Sequence, residues 1–280
     1  MNFKYLVYCI SFFVPFSVYA HEGDYRLIEF VQNKGQWEGA FAYKATSGNL
    51  SIFLENNAFT FLLGDAANGE KIHDGRTAGE QVLKYHAYKM RMLGANPQPE
   101  ITGSKARQHY YNYFLGNDRN KWKSNIHPEL NVDYKEIYKG IDLHIASESY
   151  SIKYDFIVQP GADASVIQLQ YEGADEILLK EDKIIIVTSV GEVREAAPYA
   201  YQYINGERID VACKYKLKGN TVSYHFPKGY NHSVPLIIDP TVVFSTYTGS
   251  SADNFGYTAT YDNSGNFYAV NFARFTYITK

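Results

Sequence analysis

Asp142-Leu143-His144 is the most chemically suggestive triplet in this sequence of 280 residues. In an extended strand, residues i and i+2 project from one face, so this carboxylate and imidazole would stand side by side. Such a pair could hold a metal or move a proton. Zinc sites take three or four ligands, and this pair comes without a third, so surface hydrogen bonding is the plainer expectation. Asp262-Asn263-Ser264-Gly265-Asn266 offers the oxygens that calcium uses, but it lacks the alternating acidic register and the closing glutamate. A tight turn with Gly265 and Asn266 at positive φ accounts for it better, and Asp253-Asn254 with Gly256 fits the same logic.

Trp37 and Trp122, each beside Lys or Glu, have two readings: stacking on sugar rings, or plugging the ends of a β-sandwich. The second is favoured. Cys213 sits in the alternating run Arg208 to Tyr215 and reads as a small apolar filler in a strand rather than a reactive thiol. No Gly-x-Ser-x-Gly elbow, His-Glu-x-x-His helix, P-loop or Cys-x-x-Cys occurs in the sequence. No catalytic, cofactor-binding or metal-ligating residue is therefore assigned, no cofactor is expected, and the chain reads as non-enzymatic.

The elements that would position such residues are strands. Tyr and Phe number 26 and 17, and both favour pleated, half-buried surfaces. Core and cross-strand packing explains this surplus better than an aromatic ligand face. Strands are expected at 40–45, 50–55 and 58–63, with Thr46-Ser47-Gly48-Asn49 as a turn, and again at 83–93. Residues 65–80, rich in Gly, Ala and charge, read as a mobile loop. The second half reads as a meander with strands at 142–145, 152–158, 167–171, 176–180 and 183–188, the last the most apolar and expected to be central. Strands at 200–204 and 208–217 flank Asn205-Gly206, the strongest short hairpin signal, and one at 221–226 follows. One short helical turn is expected around Asp163 to Val166. Turn residues every eight to twelve positions belong to a sandwich or barrel.

The ends carry addresses. Lys4 precedes an apolar, aromatic run from Tyr5 to Tyr19, and Val18 and Ala20 supply a small-residue cleavage pattern, so residues 1–20 read as a secretory signal peptide. The charged run after Ala20 cuts this stretch short of the roughly 20 apolar residues of a membrane span, and no later segment is apolar enough to cross. Tyr8 before Cys9 excludes a lipoprotein signal. Beyond the leader Cys213 stands alone, so no internal disulfide forms and the core must hold the fold. Formal charge is −3, or −4 without Lys4. With no basic block, nucleic acid is not an expected partner.

Two resemblances complete the reading. Residues 242–270, with Phe244-Ser245-Thr246-Tyr247, Asp253-Asn254-Phe255-Gly256-Tyr257 and Gly265-Asn266-Phe267-Tyr268, resemble the opening unit of the SBBP-type β-propeller repeats of bacterial surface proteins. Asn271 to Phe275 departs from that pattern. The blocks Glu29 to Trp37, His109 to Asp118, Tyr138 to Leu143, Tyr154 to Asp163 and Gly191 to Glu195 resemble the uncharacterised N-terminal domain that precedes SBBP repeats in secreted proteins of Gram-negative bacteria. The resemblance implies an all-β, antiparallel module over 21–240, with sandwich-like lobes at 21–119 and 120–240, and an incomplete propeller repeat over 241–280. In that repeat Val242, Phe244 and Tyr247 are expected to pair with Phe267, Tyr268 and Val270 as a hairpin-like fragment. The expected role is a non-catalytic scaffold, secreted or at the cell surface, that caps a downstream repeat array and serves adhesion. Its partners would be those repeats and an extracellular glycan or protein. A glycan-binding module with an aromatic face is the second reading, and a hydrolase whose residues converge only in three dimensions is the third.

Overall fold

A computed structural model describes residues 27–65, 83–148, 151–243, 255–261, 267–272 and 276–279. The expected signal peptide and the loop after Asp65 lie outside these residues. Alternation builds the fold. Along β11 (Ser151–Val158), Ile152, Tyr154, Phe156 and Val158 are buried while the residues between them are not. Period-two burial of this kind commits one face of a strand to the core.

The antiparallel run β1 (Phe30–Gln32), β2 (Tyr43–Ser47), β3 (Leu50–Leu54), β4 (Ala58–Gly64) and β5 (Tyr85–Met92) pairs in order. β5 continues into β12 (Gln168–Glu172), which pairs with β19 (Thr221–His225) and through it with β18 (Lys214–Lys218). On the other side β1 meets the start of β9 (Glu129–Tyr138), whose neighbours are β6 (Glu100–Ala106) and β10 (Ile141–Glu148). β10 pairs with β11, and there the sheet forks. One branch runs through β20 (Leu236–Asp239) to β16 (Tyr199–Ile204) and β17 (Glu207–Val211). The other runs through β21 (Thr241–Val243) to β15 (Gly191–Glu195), β14 (Lys183–Thr188) and β13 (Glu176–Lys180). The ladders branch without closing on themselves. β7 (Tyr111–Tyr113) and β8 (Lys123–Ile126) form a separate pair.

No α-helix occurs among the described residues, and none of their helices is long and apolar enough to cross a membrane. The turn expected near 163–166 is a 3-10 turn, Ala164–Val166, capped by Asp163, whose Oδ1 accepts from the Ser165 N–H at 2.8 Å. Asn205 and Gly206 take φ of 52° and 85° between β16 and β17, the geometry that the twist of a two-residue hairpin demands.

One apolar cluster gathers residues from Ile28 to Ile238. The segments expected as two lobes of one unit, 21–119 and 120–240, are joined by strand pairing across residue 119, where β1 and β6 pair with β9 and β5 pairs with β12. Much of the tyrosine lies inside: Tyr43, Tyr134, Tyr154 and Tyr171 are all fully buried. Phe61 stacks on Tyr88 at 4.7 Å, and Phe59 meets both Tyr134 and Tyr154 edge-on at 6.2 Å. Each such pair contributes about 0.5–1.5 kcal/mol beyond its buried area.

Several expectations need correction. The strand expected over 208–217 is two strands, β17 and β18, and Cys213 lies half-buried in the gap between them, packed against the core. β14 is not central, because β13 beyond it pairs with no other strand among the described residues; its apolar sequence reflects burial of Ile184 and Ile186, not its place in the sheet. β21 lies past Pro240 yet belongs to the domain's sheet, where Val242 pairs with Ile152 and Glu195 rather than with the 267–270 segment. That segment is β23 (Phe267–Phe272), which pairs with β22 (Phe255–Tyr261) and β24 (Thr276–Thr279) in a separate three-stranded sheet. The expected turn at 262–266 lies outside the described residues, between the paired ends Tyr261 and Phe267.

Candidate functional site

A groove of about 660 Å³ opens beside β1 and β2; residues of 27–31, β2 and 107–113 line it, and the segment that follows β1 contributes Trp37. Asn33 Oδ1 accepts from the backbone N–H groups of Gly35 and Trp37, at 3.1 and 3.4 Å. Gln36 is buried; its Nε2 donates to the Gln32 carbonyl at 2.7 Å and its Oε1 accepts from the Lys34 N–H at 2.7 Å. The loop thus folds on its own amides and fixes Trp37 at the rim. Tyr113 of β7 meets Trp37 edge-to-face at 4.9 Å. The Lys44 ammonium, from β2, stands 5.4 Å from the Trp37 ring centre and 5.5 Å from that of Phe53. Cations over aromatic faces are held by the ring quadrupole.

The floor carries a carboxylate that is already engaged. Glu29 lies 3.4 Å from Arg107 Nε and 3.1 Å from His109 Nε2, and it accepts a 2.7 Å hydrogen bond from the Tyr111 hydroxyl. Burial, then the bond to Glu29, pushes the Tyr111 phenol up to about 12, so it remains a donor. Burial also raises Tyr113. Glu29 therefore acts as a brace that ties the 107–111 segment to β1. Lys44 makes no ion pair with any described residue, so among those residues its positive charge in the groove is uncompensated.

A second polar cluster lies inside the core. Glu195 accepts from Tyr171 and Tyr154, and the hydroxyls of Tyr215 and Tyr224 are buried without a hydrogen-bond partner among the described residues. On the outer face, Lys153 Nζ bridges Asp155 at 3.7 Å and Asp239 at 2.8 Å. Nearby, the Arg208 guanidinium covers the rings of Tyr199 and Tyr201 at 4.9 and 3.9 Å.

The residues singled out in sequence disperse. Asp142 turns to β9, accepting from the Glu136 N–H at 2.9 Å and Lys135 Nζ at 3.1 Å. His144 Nδ1 instead meets Asp133 at 2.6 Å. No three His, Cys, Asp or Glu side chains converge on a metal-sized point among the described residues. Trp37 joins the groove, whereas Trp122 packs on Phe114 and donates to the Gly116 carbonyl at 3.1 Å. Burial pushes the Cys213 thiol up to about 12, which makes it a poor nucleophile. Sequence reasoning missed His86: Ser189 Oγ lies 2.9 Å from its Nδ1 and the Gly173 carbonyl 2.7 Å from its Nε2. With both ring nitrogens engaged, it pins the turn after β14 to β5. The groove's ring planes differ by 67° for Trp37 and Tyr113 and by 51° for Tyr111 and Tyr113, so they form a corner rather than a flat platform.

These features define an all-β antiparallel domain with a tyrosine-rich core and an aromatic, charged groove. The chain belongs to the family described as "Domain of unknown function (DUF7948)", whose model matches residues 30–241, from the first residue of β1 to the first of β21. No curated protein and no solved structure matches the chain.

Proposed function

We propose that this chain is a non-catalytic module of an exported surface protein, one that precedes and caps an array of SBBP-type β-propeller repeats and serves adhesion at the cell surface. The observation that carries the reading is the way the domain ends. β21 is hydrogen-bonded on both edges, and the antiparallel run β22-β23-β24 follows it, with β22 and most of β23 inside the segment that resembles such a repeat. A propeller blade is built of four antiparallel strands, and three in sequence are the greater part of one. A strand held on both sides fixes the origin of whatever follows it. The domain beside it can also cover a blade edge that would otherwise invite pairing with other chains.

The test is to express the tagged chain in a Gram-negative host and treat intact cells with protease. The reading expects a protein processed after Ala20 that is released to the medium or cleaved from outside. A chain that keeps Met1 and stays protected inside intact cells overturns it.

A further inference from the structure

We propose that the groove between Trp37, Lys44 and Tyr113 binds an acidic saccharide, a short run of sugar rings bearing carboxylates. The argument begins with charge. Glu29 is the groove's carboxylate, and Arg107, His109 and Tyr111 already meet it, while Lys44 has no acidic partner among the described residues. Its ammonium is held in place by two rings rather than by an anion. Such an ammonium gains a charge-assisted hydrogen bond when a carboxylate arrives. The groove therefore selects a ligand that brings the missing anion.

Shape supplies the rest. The volume of about 660 Å³ lies within the range of about 300–1,000 Å³ usual for small-ligand sites. Tyr113 and Tyr111 set apolar ring faces beside polar tips, surfaces that suit the C–H faces and hydroxyls of a sugar. The corner they form with Trp37 fits a ring that enters edge-on, with its carboxylate toward Lys44, better than a flat stack of several rings. Ordinary simple anions could meet the charge but not the rings, and neutral sugars could meet the rings but not the charge.

The chain has two tryptophans, so a Trp122→Phe background makes emission report on Trp37 in the groove. In that background we expect a galacturonate trimer to change the emission saturably, with an affinity about tenfold above that of a neutral galactose trimer. Added salt should weaken the uronate and leave the neutral sugar unchanged. Lys44→Met, which keeps an apolar stem over the rings, should lower uronate affinity about tenfold, and Lys44→Arg should restore most of it. Tyr113→Ala should weaken both sugars. Circular dichroism and the melting midpoint identify any variant that has failed to fold. Equal affinity for the two trimers, no binding of either, an unchanged Lys44→Met variant, or acetate binding as tightly as the uronate would each overturn the proposal.

Discussion

A carboxylate oxygen of Glu195, a side chain 1 % exposed, accepts a 2.5 Å hydrogen bond from the hydroxyl of Tyr171. Tyr154 supplies a second donor at 2.9 Å. Burial raises the Glu195 carboxyl, and these two bonds oppose the rise without cancelling it. A carboxyl with a raised folded value binds its proton more tightly when folded than when unfolded. Its stabilising contribution is present at low pH and is lost as pH climbs from the ordinary glutamate value through the raised one. Relative to Glu195→Gln, the wild-type urea midpoint should therefore fall as pH rises across that window. If the two midpoints run parallel over it, Glu195 is not protonated in the native core.

Asp155 should titrate far from ordinary aspartates. Burial raises it first, Lys153 opposes the rise, and the neighbouring Asp239 adds to it, bringing the group to about 6. His144 also lies close enough to oppose the rise. Carboxyl carbon shifts in NMR should place its midpoint near that value. Asp239→Asn should lower the midpoint by removing a like charge, and Lys153→Met should raise it. Since the folded value is the higher one, this group favours the fold below the ordinary aspartate range and loses that contribution as pH rises through about 6.

Packing predicts a contrast between two apolar residues. Phe156 is fully buried between Tyr154 and Tyr224, so Phe156→Ala should cost about 3–5 kcal/mol in urea unfolding. Ile209, on the edge strand β17, is 43 % exposed, and its replacement by Ala should stay within about 0.5 kcal/mol. A similar cost at both positions would mean that β17 is covered in solution.

Hydrogen exchange should divide the C-terminal region at Val243. β21 pairs with both β11 and β15, Val242 with the two at once, and its amides should exchange as slowly as those of β11 and β15. Those of β22–β24 belong to a small sheet that pairs only with itself among the described residues, and should exchange faster, since a small unit opens locally at lower cost than a large one. Equal protection on both sides of Val243 would show that the small sheet docks on the domain.

How far the sequence reveals this architecture depends on whether burial keeps phase. β11 was legible because Ile152, Tyr154, Phe156 and Val158 alternate without a slip, and Asn205-Gly206 named its own hairpin. β9 is the longest strand among the described residues and one of the most connected, yet it carries no clean alternation. Glu136 takes φ of 47°, the register with β10 shifts there, and the inward set passes from Val132 and Tyr134 to Ile137. A bulge erases the signal that period-two reading requires. Gly103 hides its purpose similarly: on β6 it leaves room for the Glu129 carboxyl, which would collide with any Cβ there. The groove was the least legible feature. Trp37 stood out as a residue, but Glu29 and His109 are 80 positions apart, and only the fold of β9 between β1 and β6 brings them together.

The fork of the sheet at β11 has a mechanical consequence. β21 is clasped between β11 and β15, so a pull on the chain beyond Val243 along the strand axis loads hydrogen bonds on both flanks at once. A strand at a free edge, pulled the same way, would have bonds on one flank only to resist. Tension applied to the chain beyond Val243 is therefore shared between two branches of the sheet before it reaches the aromatic interior.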